Sequence, residues 1–142
     1  MTRLPRYDDD HGSMTLELAI LAPALLLLLA ALILAGRVET TSAAVEHAAR
    51  VAARDASLAR TPESARTTAV TSAARELAAT ACVSSDVAVD TSGFAAPVGT
   101  DGRIAVTLTC VIPVADLAIP GIPGTHNLTA QATSPLDRYR SR

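Results

Sequence analysis

Gly12, Ser13 and Glu17 stand at a spacing that suits cleavage of a peptide bond by another protein at the mouth of a membrane-length segment. A peptidase working at the cytoplasmic membrane face needs a small, pliable residue before the bond it cuts, and Gly12 meets that need. A chain beginning at Ser13 would carry Glu17 as its fifth residue. In an assembly of like helices, a new ammonium at Ser13 and a neighbour's Glu17 would leave water together. Their opposite charges offset a burial cost that an unpaired carboxylate bears alone. The plainer alternative is that Glu17 lies among lipid headgroups and Gly12 only marks a helix start.

Cys82 and Cys110 are the two cysteines of the chain. Two thiols without a histidine cluster fall short of the four ligands a structural zinc takes. In a reducing compartment they stay thiols. On the outer side of a membrane they can pair, closing a loop of about 28 residues worth roughly 3 to 4 kcal/mol in the loop-entropy account. His11, His47 and His126 are scattered and pair with no nucleophile or acid at a useful spacing. There is no glycine-rich phosphate loop, so the residues predict neither an enzyme nor a bound metal or cofactor. Asn127-Leu128-Thr129 matches a glycosylation triplet, a pattern that arises often by chance.

The element that positions the junction is the apolar run at residues 18–36, opening at Leu18 and closing at Gly36, with nine Leu, two Ile and no charge. As a helix it spans roughly 28 Å, against about 30 Å of hydrocarbon. Its Leu and Ile side chains favour insertion by about 0.3 to 0.6 kcal/mol each, which outweighs one Pro and one carboxylate at the edge. Pro23 removes the bond that its position would donate to Ala19 and tends to kink the helix, which membrane helices tolerate. A removable secretory signal is the competing reading, with release after Ala35. The run is longer than the usual signal core, and Asp8, Asp9 and Asp10 spoil a basic leader.

Beyond Gly36, helical spacing of Val38, Val45, Ala48, Ala49, Ala52, Ala56 and Ala59 predicts that the same helix continues without a break. Thr61-Pro62-Glu63 then predicts a capped second helix ending near Ala81, with Ala65, Ala69, Val70, Ala73, Leu77 and Ala81 as its apolar stripe. From residue 82 the period turns to alternation. Asp86 to Asp90 is one strand candidate, the alternating set from Ile104 through Ile112 a second, and residues 127–133 a third. A turn is expected at residues 99–102 and an apolar, proline-broken loop at residues 113–124. The fold class expected is α+β: a long N-terminal transmembrane helix continuing outside the membrane, a second helix, and a small antiparallel sheet of about three strands. The domains expected are a polar, disordered leader at residues 1–12, with helical character starting near Ser13 or Met14; the transmembrane and extended helix at 13–60; and a small extracytoplasmic unit at 61–142. The tail from Asp137 reads as a solvated end.

Composition narrows the class. Of 142 residues, 49% are hydrophobic but only 2% aromatic, so any core is built from small side chains and its elements approach closely. A formal net charge of -2 gives no footprint for nucleic acid. Arginine counts on the two sides of the membrane segment weakly favour a cytoplasmic C-terminal side. Long domains translocate largely regardless of charge, however, and the cysteine pair and short leader prefer that side outside.

Gly12 followed by four residues and then Glu17, a Leu-rich helix with Pro23, and the run from Ala48 to Arg54 together resemble the TadE-like family. These are pseudopilins, or minor pilins, of tight-adherence (Flp-type) pilus systems. The resemblance is specific over residues 12–54 and architectural beyond. It implies a cut between Gly12 and Ser13 by a prepilin peptidase, with Glu17 as the acid of the recognised motif. It implies a single-pass membrane protein with a cytoplasmic N-terminus, whose partners are membrane lipid, other pilin or pseudopilin subunits and the assembly platform. Many tight-adherence prepilins carry Tyr directly after the acid, where this chain has Leu18. That departure and the added domain suit a minor component better than a major pilin. Two alternatives stay open: an uncleaved anchored extracellular binding module, and the secreted form released after Ala35.

Overall fold

The computed structural model describes residues 11–97, 99–113 and 124–139, with side chains from Glu17 onward. The leader expected at residues 1–12 thus falls almost wholly outside the described residues, as does most of the loop expected at 113–124. Two compact units divide the chain, Met1–Gly36 and Arg37–Arg142.

The order of elements is α1 (His11–Ser57), α2 (Pro62–Leu77), β1 (Ser84–Asp90), a short 3-10 helix (Ser92–Ala95), β2 (Arg103–Pro113) and β3 (Thr125–Pro135). This is the α+β class expected, with one sheet in the order β1-β2-β3 and both pairings antiparallel. α1 is already helical at His11, two to three residues before the start expected near Ser13 or Met14, because a single Gly costs a helix only about 1 kcal/mol against Ala. At its other end, Leu58 and Ala59 turn back to the carbonyls of Asp55 and Ala56, which closes the helix before Ala59.

α2 starts as its sequence dictates. The Thr61 hydroxyl accepts from the Ser64 N–H, Pro62 sits where its missing N–H costs nothing, and Glu63 lies in the first turn. It stops at Leu77 rather than near Ala81. The Thr80 N–H and hydroxyl both donate to the Leu77 carbonyl, and the chain then swings to Cys82, which is bonded to Cys110 on β2.

Small side chains make the core of the second unit, as the composition requires. Ala48, Ala49, Ala52 and Ala56 of α1 and Ala65, Ala69 and Ala73 of α2 are buried against Ile104, Val106, Leu108 and Ile112 of β2. The alternation of β2 is complete: every even-numbered residue from Ile104 to Ile112 is buried and the odd ones are half exposed. Two residues of the expected α2 stripe are not in the core. Val70 is exposed, and Ala81 lies past the helix end and is exposed too. Ser72 takes a buried place instead. In the turn before β2 the Thr100 N–H donates to the Pro97 carbonyl and Gly99 holds a positive φ of 91°.

Candidate processing and membrane-anchoring site

Gly12 and Ser13 lie on α1, which is already helical at His11. Ala35 and Gly36 are deep inside the same helix, where opening the backbone breaks bonds on both sides. Glu17 lies one turn beyond Ser13 on this helix, and its side chain is exposed.

From Leu18 onward the helix shows apolar side chains on every side. Leu25, Leu26, Leu27, Leu28 and Leu29 are five successive residues, which at about 100° each go once around the axis. All five are more than half exposed, and Leu18 and Leu27 reach 70% and 72%. None of the most apolar window is buried within the chain, and the helix is long and apolar enough to cross a membrane. A helix that is hydrophobic all round needs an apolar surrounding, and a single-pass membrane anchor is compatible with that requirement. Pro23 sits inside this stretch without ending it, and leaves the Ala19 carbonyl short of its usual donor.

The second unit is fastened from several directions. Cys82 and Cys110 form a disulfide with Cα atoms 5.5 Å apart, joining the segment before β1 to the buried face of β2. Arg66 on α2 donates to the Thr91 hydroxyl at 2.7 Å, which holds the exit of β1. The Ser134 hydroxyl donates to that of Ser57 at 3.0 Å, tying β3 to the end of α1. Gly93 and Gly102 come so close that a Cβ on either would overlap backbone of the facing segment.

His47 lies 3.7 Å from Glu76 across the two helices. His126 is exposed at the start of β3. Among the described residues no group of three His, Cys, Asp or Glu side chains converges as a metal site. A surface cleft beside the end of α1 is lined by Ser57, Leu58, Arg60, Leu136, Asp137 and Tyr139; the Ser57 hydroxyl donates to the Arg54 carbonyl and accepts from Ser134, so its bonds are structural. The tail at Asp137 to Tyr139 is exposed, as expected, yet anchored: Leu136 is buried, Arg138 pairs with Asp101, and the Arg138 carbonyl accepts from the Gly99 N–H. Beyond the lone Leu136, no local pattern signals this anchoring.

No curated protein and no solved structure matches the chain. A family model does, and its span coincides with the segment that carries the junction and the apolar helix. Over residues 12–54, under a third of its length, this chain matches the family described as TadE-like protein.

Proposed function

We propose that the chain is a minor pilin, or pseudopilin, that takes part in assembly of a tight-adherence, type IV-like pilus. The observation that carries the reading is the all-round exposed apolar helix inside the TadE-like span, preceded by Gly12 and Glu17 at the spacing a prepilin peptidase recognises. In this reading residues 1–12 are a leader removed by that peptidase. Residues 13–60 form the anchor and its extension, and residues 61–142 are the extracytoplasmic unit. The disulfide supports the orientation, because such bonds persist on the oxidising side of a membrane.

The cut gives Glu17 its task. A free ammonium at Ser13 sits at the positive end of the helix dipole, an unfavourable place for a cation. Glu17 is four residues on, one turn away on the same side, so its carboxylate offsets that repulsion within the chain. In the assembled pilus the same carboxylate meets the Ser13 ammonium of a neighbouring subunit. Partners are therefore other pilin subunits, the assembly platform, the peptidase and membrane lipid, and the protein's work is structural rather than catalytic.

The helical backbone through Gly12 and Ser13 favours a second reading, an uncleaved single-pass anchor for an extracellular binding module. Deletion with complementation separates the two. Loss of surface pili on deletion, restored by the wild-type chain and not by Glu17→Ala, supports the pilin reading. Normal piliation in the deletion strain contradicts it.

A further inference from the structure

We propose that the free edge of β3 is a docking edge, on which an uncharged extended segment of another pilus subunit adds as a fourth strand. The inference rests on the assembly reading and names the surface that it uses. β3 pairs with β2 on one side only, and among the described residues nothing pairs with the other. A strand edge left in this condition is a template for another chain, and proteins commonly protect it with charge, proline, a bulge or brevity. β3 has none of these along its body. It is 11 residues long, carries no Asp, Glu, Lys or Arg, keeps an unbroken register over all its pairs with β2, and has proline only at its last position.

The opposite edge makes the contrast. β1 has seven residues, with Asp86 and Asp90 both exposed. One edge of the same sheet is thus short and charged, and the other long and bare. The chemistry of the occupant follows from the two faces of β3. Leu128 and Ala132 are only partly buried at the rim of the core, so an incoming strand with apolar side chains at alternate positions extends that layer. On the other face Thr129 and Gln131 are exposed and neutral, matching hydroxyl or amide side chains and offering nothing to pair with a charge. Main-chain bonds supply the affinity and the alternation supplies the selectivity.

Two arms test this in the full-length protein. In the first, a photoreactive residue replaces Gln131 in piliated cells, with the same residue at Thr107 on the central strand as control. The expected product is an adduct at position 131, well above that at 107, mapped by peptide mass spectrometry to an uncharged extended segment of another pilus subunit. No adduct, an adduct to a second copy of this chain, or one to a charged or helical segment overturns the proposal. In the second arm Thr129→Pro and Ala130→Pro are compared. Successive N–H groups of an edge strand point alternately inward and outward, so one of the two prolines spares the bonds to β2. The variant that keeps the wild-type melting temperature in detergent is expected to lower piliation about tenfold or more. Wild-type piliation by that variant overturns the proposal. Normal piliation after deletion of the whole chain is a different result, and contradicts the assembly reading itself.

Discussion

Ser72 on α2 donates its hydroxyl to the Asp55 carboxylate on α1 at 2.5 Å, from a side chain only 4% exposed. The alanines between the two helices make close contact but select no particular register. This polar bond, with Arg75 also 3.7 Å from Asp55 and His47 3.7 Å from Glu76, helps to set which turn of α2 faces which turn of α1. Replacing Ser72 with Ala is expected to cost about 1 to 2 kcal/mol. Water reaches Asp55, which is one-third exposed, and keeps the cost near the lower end. A melting curve in detergent reads it as a drop of several degrees; an unchanged midpoint contradicts the assigned role.

The disulfide spans 28 residues and has one half-buried and one fully buried sulfur partner. Reduction, or the double change of Cys82 and Cys110 to Ala, is expected to destabilise the second unit by about 3 to 4 kcal/mol. Cys110→Ala alone should also do so, because it opens a gap beneath β2 in addition to freeing the loop. Denaturant titration with and without reductant measures both. Equal stability in the two states counts against the bond's contribution.

Asp90 accepts a hydrogen bond from the Ser92 backbone N–H at 2.9 Å, and this bond, with help from the Ser92 side chain, holds its carboxyl below the ordinary value of 3.8. The folded form therefore prefers the ionised acid. The stability it contributes is present above the unfolded value and is lost as pH falls below 3.8 through the folded one. Asp90→Asn removes this share of the acid sensitivity. Melting temperature plotted against pH should fall less steeply at the acid end for the variant, and identical slopes refute the assignment.

Leu27 lies midway along residues 18–36 and is exposed. Arg at this position turns a contribution of about -0.5 kcal/mol into a penalty of about 3 kcal/mol for insertion. Leu27→Arg should lower the fraction of the chain resisting alkaline extraction from membranes, whereas Leu58→Arg, outside the apolar run, should not. Equal retention of the two variants contradicts the anchoring role.

Some of this structure is written plainly in the chain. The alternation from Ile104 to Ile112 announces β2 because both neighbours, β1 and β3, pair with it and only one face meets the helices. Thr61-Pro62-Glu63 announces the start of α2 because capping is local chemistry. The end of α2 is not local: Thr80 and the Cys82–Cys110 bond decide it, and helical spacing of Ala81 carries no trace of them. Ser72 was absent from the expected stripe because a hydroxyl scores as polar, while its partner Asp55 lies 17 residues away. Gly93 and the 3-10 helix Ser92–Ala95 carry no local signal for the same reason, since only the approach of residues 102 and 103 demands a glycine there. At the junction, Gly12 and Glu17 specify a motif by spacing alone; that the helix already includes His11 and Gly12 emerges only in the structure.

If the prepilin peptidase cuts after Gly12, the mature protein starts at Ser13, and the intact mass of the native chain purified from membranes decides it. The expected mass is lower than the full chain by residues 1–12, with Ser13 as the first residue on N-terminal sequencing. A mature chain that begins at Met1 contradicts processing and leaves the plain anchor, and one that begins at Gly36 contradicts the anchor as well.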